Sequence, residues 1–159
     1  LTPRDTADAG ALAAETGGTL LTTGSVRLAP GAKVAALPGY EEGRFWVQDA
    51  AAAIPARLLG DVRGKRVFDL CAAPGGKTMQ LAAAGAEVIV VDTSGERLKR
   101  VQENLARTKL TAKTVKADVL AWAPEGLADA VLLDAPCTAT GTIRRHPDIL
   151  WAKTEESLK

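Results

Sequence analysis

The sequence has few of the residues on which disulfide and metal chemistry depend. Its 159 residues include two cysteines and one histidine, too few for a disulfide scaffold or a four-ligand zinc site. No apolar run approaches the roughly 20 residues of a membrane helix, and the first ten residues carry neither a basic region nor a hydrophobic signal segment. We therefore expect no metal, no membrane attachment and a reducing, cytoplasmic setting.

Aromatic residues and excess charge are also scarce. Aromatics make up 4% of the chain, while hydrophobic residues make up 47% and the net charge is +1. This composition excludes disordered, collagen-like and coiled-coil proteins, and it predicts a closely packed aliphatic core. Residues 1–43 are rich in Gly, Thr and Ala, and we interpret them as an N-terminal appendage to a domain over residues 44–159. The helical pattern at 154–159 has no stop signal, so we expect a longer polypeptide.

From residue 66 onward, predicted strands alternate with predicted helices. Strands are expected at 66–70, 87–91, 113–116 and 128–133, and helices at 50–59, 76–84 and 95–107. The last strand is apolar almost throughout, as expected of a strand buried on both faces. This alternation predicts an α/β fold with a doubly wound parallel sheet in the strand order 3-2-1-4.

Each predicted strand has an acidic residue within two positions of its carboxyl end. These residues are Asp69, Asp92, Asp118 and Asp134. In a doubly wound sheet, ligands bind outside the carboxyl ends of the strands, so the four carboxylates should converge on one binding site. Taken singly, each of them could equally be a helix N-cap or a solvated loop residue.

The turn after the first strand carries a second signal for ligand binding. Gly75 and Gly76 let the backbone approach a ligand, and the helix that follows offers free N–H groups to an anion. A phosphate-binding P-loop would need glycine where Cys71 stands, and the G-x-G-x-x-G dinucleotide fingerprint is absent. S-adenosylmethionine suits the site better, with its carboxylate at the helix start, its ribose on Asp92 and its adenine on Asp118.

A cysteine follows the fourth strand, where a substrate would meet the methyl donor. Cys137 comes after a proline and before small residues, which favours exposure to the cleft, and Arg144, Arg145 and His146 could supply the positive charge that activates a thiol. A thiolate that adds to carbon 6 of a pyrimidine makes carbon 5 nucleophilic enough to accept a methyl group. On these grounds Cys137 is the candidate nucleophile, whereas Cys71 could be a buried structural thiol.

Three segments resemble the NOP/Sun (Fmu) family of RNA cytosine-C5 methyltransferases. They are FDLCAAPGGKT at 68–78, LDAPCTATG at 133–141 with RRHPD at 144–148, and GRFWVQD at 43–49. Within this family the chain is most similar to the bacterial enzymes that act on small-subunit ribosomal RNA. The resemblance implies a Rossmann-like class I methyltransferase fold, incomplete at its C-terminal end, and residues 1–43 would be the tail of an RNA-binding module.

The resemblance also implies roles for individual residues. The cofactor loop would comprise Cys71, Ala72, Ala73, Pro74, Gly75, Gly76 and Lys77, with Asp92 on the ribose, Asp118 on the adenine and Asp134 beside both methyl donor and target base. Arg144 and Arg145 would hold RNA phosphates. The family's nucleophile lies in a later motif, so Cys137 would instead assist product release, and no cysteine follows it here. The alternatives are a tRNA methyltransferase and a catalytically incomplete fragment that binds RNA and cofactor.

Overall fold

The computed structural model describes residues 1–135, 137–143 and 146–152. Its N-terminal part contains β1 (Thr2–Pro3), α1 (Ala9–Thr16), β2 (Thr19–Leu20), β3 (Val26–Arg27) and β4 (Phe45–Trp46). The first strand pairs with β4 and the second with β3, both antiparallel. A small core of Leu1, Leu12, Ala13, Val26 and Phe45 holds this part together. Because β1 pairs with β4, which follows residue 43, backbone hydrogen bonds join the residues on either side of the predicted domain boundary. That boundary stays a prediction.

The helix expected at 50–59 is much shorter than predicted. Helix α2 covers only Ile54–Arg57, with Pro55 in its first turn. Proline has no N–H to donate, and its ring clashes with the carbonyl four residues earlier, so a helix can start at Pro55 but cannot run through it. The apolar spacing of residues 50–59 therefore indicated the right place but the wrong extent.

The second part of the chain is built on a parallel sheet. Its elements are β5 (Arg66–Leu70), α3 (Gly76–Ala83), β6 (Glu87–Asp92), α4 (Gly95–Thr108), β7 (Lys113–Lys116), β8 (Ala130–Leu133) and α5 (Ile149–Ala152). All neighbouring strands are parallel, in the order β7-β6-β5-β8. This is the predicted order 3-2-1-4, and the predicted α/β fold is confirmed.

The two faces of the sheet are covered by different elements. Val67, Val88 and Val90 pack with residues of α3 and α4 in the larger core. Phe68, Leu70, Ile89 and Val91 point to the other face, where Trp122 lies edge-on to Phe68 with ring centroids 5.0 Å apart. The carboxyl ends of β5, β6 and β8 lie at one edge of the sheet. The candidate site lies at this edge, beside the face that the helices cover.

Strand β8 departs from the prediction that it is buried on both faces. Leu132 is 7% exposed, but its neighbours Val131 and Leu133 are 52% and 58% exposed. Within the described residues β8 pairs with β5 alone, so only the side of the strand that faces the larger core is covered. In the described part of the chain, no helix is long and apolar enough to span a membrane.

Candidate active site

The loop between β5 and α3 forms the floor of the site. Cys71 adopts φ 58° and Gly75 adopts φ 98°, and Ala73–Pro74 is a cis peptide bond. A Cβ on Gly75 would lie 3.1 Å from Val101 Cγ1 of α4, so glycine is needed there for both conformation and space. The turn brings the chain directly into α3, whose first backbone bond runs from Met79 N to Gly75 O at 2.8 Å.

Asp69, the last polar residue of β5, is completely buried. Its Oδ2 accepts a hydrogen bond from Thr78 Oγ1 at 2.5 Å, while its Oδ1 has no partner among the described residues. Burial raises the pKa of Asp69 from 3.8 to about 6, against the opposing effects of the Thr78 hydroxyl and the Lys77 ammonium. One oxygen of this carboxyl group is therefore free to accept a hydrogen bond.

Asp92, at the end of β6, is held against the loop. It is 2% exposed, and its Oδ1 accepts from Ser94 N at 3.0 Å while its Oδ2 accepts from Ala73 N at 3.4 Å. The Arg97 guanidinium lies 3.5 Å from Oδ2 and donates to Ala73 O at 2.9 Å. The carboxylate after the second strand of the parallel sheet and the loop after the first are thus joined directly.

The pKa of the Cys71 thiol is raised by burial and by nearby negative charge. Burial raises its pKa most, and the negative charges of Asp92, Asp118 and Asp134 each raise it further. Carboxylates from three different strand ends therefore act electrostatically on one side chain of the loop, against the opposing charge of Arg97. A thiol with a raised pKa stays protonated at neutral pH, so Cys71 is unsuited to nucleophilic attack.

A cavity of about 380 Å³ opens beside this loop. Seven predicted site residues line it: Cys71, Ala72, Ala73, Pro74, Gly76, Lys77 and Asp134. Asp69 also lines the cavity, and Lys77 Nζ lies 2.6 Å from Asp134 Oδ2, which ties the start of α3 to the end of β8. Lys77 is 16% and Asp134 61% exposed, so the ion pair stands at the mouth of the cavity.

Four predicted site residues that the structure describes do not line this cavity: Gly75, Asp92, Asp118 and Cys137. Asp118 is exposed and accepts from Leu120 N at 3.0 Å, and its influence on Cys71 is electrostatic. Cys137 is exposed, with its Sγ accepting from Ala139 N at 3.3 Å, and it is not among the residues lining the cavity. Arg144 and Arg145 lie outside the described residues. Those described contain no cluster of His, Cys, Asp or Glu suited to a metal ion.

Several residues of the cavity were not expected from the sequence. Tyr40, Gln48, Asn104 and Arg107 all contribute to its wall. Asn104 Nδ2 donates to Pro74 O at 3.1 Å. These residues come from the N-terminal part and from α4, far from the glycine turn in sequence, and the only signal for any of them was the resemblance of the segment around Gln48.

The strand order, the glycine turn after β5 and the buried acid at the end of β6 are features of Rossmann-like methyltransferases. A family model described as 16S rRNA methyltransferase RsmB/F matches residues 56–159. The chain belongs to this family, and the resemblance stated from its sequence motifs is confirmed. It is 47% identical over 139 residues to "Ribosomal RNA small subunit methyltransferase B" of Cronobacter sakazakii, which covers 84% of this chain and 32% of that protein.

Solved structures agree with this assignment. The crystal structure of PH0851 superposes with a TM-score of 0.80 at 26% identity, covering 99% of this chain and 39% of that one. NSun6 from Pyrococcus horikoshii, crystallised with SFG, gives a TM-score of 0.61 at 29% identity, covering 84% of this chain and 39% of that one. The chain spans about a third of the length of the curated relatives it matches.

Proposed function

We propose that the protein binds S-adenosylmethionine and methylates carbon 5 of a cytosine in small-subunit ribosomal RNA. The observation that carries the proposal is the meeting of three strand ends at the glycine turn, where Asp92 Oδ2 accepts from Ala73 N, Asp69 Oδ2 accepts from Thr78 Oγ1 and Asp134 Oδ2 pairs with Lys77 Nζ. Membership of the RsmB/F family supports the reaction and the RNA class, because the curated relatives are named for methylation of small-subunit ribosomal RNA. No observation on the described residues favours tRNA as the substrate.

The residues present fit this cofactor. The N-terminus of α3, entered through Gly75, would hold its carboxylate, because the first N–H groups of a helix have no partner within the helix. Asp92 would accept from the ribose hydroxyls and Asp118 from the adenine amino group. Asp69 lines the cavity, and its buried Oδ1, which has no partner among the described residues, would accept from the ammonium group. When bound, S-adenosylmethionine supplies an electrophilic methyl group on a positively charged sulfur.

Asp134 and Cys137 would act on the RNA base. Lys77 fixes the orientation of the Asp134 carboxylate through their ion pair, and a carboxylate oxygen can accept from the exocyclic amino group of cytosine. Cys137 presents an exposed thiol that already receives the Ala139 N–H. We assign it to product release, with Arg144 and Arg145 as phosphate contacts. The extruded base would then be held between protein groups while the RNA backbone is fixed.

Calorimetric titration tests the cofactor assignment. We expect the protein to bind S-adenosylmethionine and not ATP with magnesium, and Asp92→Asn to weaken binding about tenfold or more, since about 1.4 kcal/mol corresponds to a factor of ten. Asp61→Asn is the matched control, because Asp61 caps a surface turn through Arg63 N at 3.1 Å. Binding of ATP with magnesium in place of S-adenosylmethionine would overturn the proposal in favour of a nucleotide hydrolase.

A methylation assay on ribosomal RNA tests whether Cys137 acts in product release while another cysteine is the nucleophile. Because no cysteine follows Cys137, we expect 5-methylcytosine only when the chain is extended by the C-terminal part of the Cronobacter relative. In that extended protein, Cys137→Ser should leave RNA covalently attached to the enzyme. The nucleophilic attack on the cytosine is intact in this variant, whereas release of the methylated RNA is slowed. Methylation by the 159-residue chain alone would show that the nucleophile lies within these residues and would refute its placement in the C-terminal extension.

A further inference from the structure

The side-chain amide of Gln48 uses all of its hydrogen-bonding capacity. Its Oε1 accepts from Thr2 Oγ1 at 2.9 Å and from Trp46 Nε1 at 2.9 Å. Its Nε2 donates to Ala52 O at 3.2 Å and to Gln80 Oε1 at 2.8 Å. An amide oxygen accepts two hydrogen bonds and an amide nitrogen donates two, so Gln48 is saturated by protein groups.

These partners lie on separate elements that meet at the candidate active site. Thr2 belongs to β1 and Trp46 to β4, while Gln80 is in the second turn of α3 and also donates from Nε2 to Ala53 O at 2.9 Å. Gln48 lines the cavity. A Cβ on Gly76 would lie 3.3 Å from its Nε2, so the Gln48 amide also packs directly against the first residue of α3.

We propose that Gln48 is a positioning residue for the cofactor loop, an inference that rests on the proposed function. It would act by anchoring the first two turns of α3 to the β1–β4 pair, which fixes where the free N–H groups of the helix point. Those N–H groups bind an anion well only if their direction is set before the ligand arrives. Without the amide, the Thr2 hydroxyl and the Trp46 indole lose their partner, and α3 loses its hydrogen-bonded link to the β1–β4 pair.

The test replaces the amide by a side chain of similar length that cannot form these hydrogen bonds. We expect Gln48→Met to weaken S-adenosylmethionine binding about tenfold by calorimetry, a typical size when a supporting group is lost. In the ligand-free protein, hydrogen exchange of the Met79 amide, which closes the first turn of α3, should become faster. Gln102→Met is the matched control, because Gln102 makes one exposed hydrogen bond, to Thr114 Oγ1 at 2.9 Å; both its affinity and its Met79 exchange should match the wild type.

A double-mutant cycle shows whether the effect passes through Gln80. If Gln48 acts on α3 by way of that hydrogen bond, the losses from Gln48→Met and Gln80→Met should not add in the double variant. If Gln48→Met fails to fold, Gln80→Met replaces it in the test. Gln80 is half-buried, and its replacement removes the same Gln48–Gln80 hydrogen bond, so we again expect weaker binding and faster Met79 exchange. Urea unfolding confirms that each variant is folded at the temperature of the titration.

The outcomes separate the inference from the proposed function. Failure of the wild-type protein to bind S-adenosylmethionine overturns the proposed function and with it the inference. Wild-type binding with unchanged affinity in folded Gln48→Met and Gln80→Met overturns the inference alone. Weaker binding together with unchanged Met79 exchange also overturns it, because positioning of the start of α3 would then not be the cause.

Discussion

At the scale of single residues, the buried carboxyl group of Asp69 makes stability depend on pH. Its pKa is raised to about 6 in the folded protein and has its usual value of 3.8 in the unfolded chain. Between these values the folded state holds a proton that the unfolded state has released, so the free energy of unfolding falls as pH rises. A shift of about two units corresponds to about 3 kcal/mol, fully present below pH 4 and lost above pH 6.

Comparison with Asp69→Asn isolates this effect, because the amide has the same shape and does not titrate. We expect the difference in unfolding free energy, wild type minus variant, to decrease from pH 4 to pH 7 in urea titrations. Groups common to both proteins cancel in the difference. A difference that stays constant would show that Asp69 ionises as an ordinary exposed carboxyl group does, and one that increases with pH would show that folding lowers its pKa.

The candidate site could be predicted from sequence only where its residues follow strand ends. Asp92 and Asp134 were found because parallel strands deliver their last residues to one edge, and the Gly75 turn because glycine marks a close approach. Gln48 and Asn104 were not found, since their roles depend on packing between the N-terminal part, α3 and α4. Such contacts between distant segments have no local pattern in the sequence.

At the scale of elements, α4 carries an unfavourable residue at its end. It begins at the N-cap Ser94, whose Oγ accepts from Arg97 N at 3.3 Å, and it ends at Lys109 in the left-handed conformation, φ 56°. Glycine is preferred at this position because a Cβ is strained there. We expect Lys109→Gly to be more stable than Lys109→Ala by about 1 kcal/mol in urea unfolding. Both variants lose the same charge, so equal stabilities would contradict the prediction.

The helices and strands were predictable where the hydrophobic periodicity and the turn residues indicated the same bounds. Strands β5 and β7 have the predicted bounds, and α3 and α4 differ from prediction by one residue at the C-terminal end. The errors in predicting β8 arose because its start and its exposure depend on contacts with other parts of the chain. Strand β8 begins at Ala130 rather than 128. Asp129, just before it, donates from its N to Arg66 O and accepts from Arg66 N through its side-chain Oδ2, so its side chain takes the place of a backbone partner at the start of β5. The exposed face of β8 could not be inferred from an apolar sequence alone.

At the scale of the whole molecule, arginines join the N-terminal part to the sheet domain. Arg107 donates to Tyr40 O at 2.8 Å and to Phe45 O at 3.0 Å, and its guanidinium lies 4.3 Å from the Tyr40 ring centroid. Arg4 donates to Thr108 O at 3.0 Å. These contacts reach the end of α4, and Tyr40 and Arg107 also line the cavity. Residues 1–43 therefore help to form the candidate site.

Gly43 lies at a close approach between the two parts, and its replacement tests their docking. It has φ +68°, and a Cβ there would lie 2.0 Å from Arg107 O. We expect Gly43→Ala to lower the free energy of unfolding by the strain of a left-handed alanine, about 1–2 kcal/mol, and by about 2 kcal/mol more because the N-terminal part must move off α4. Gly17→Ala supplies the control, since Gly17 has φ +64° and open space around it. Equal losses of stability in the two variants would show that the parts are not tightly docked at this position.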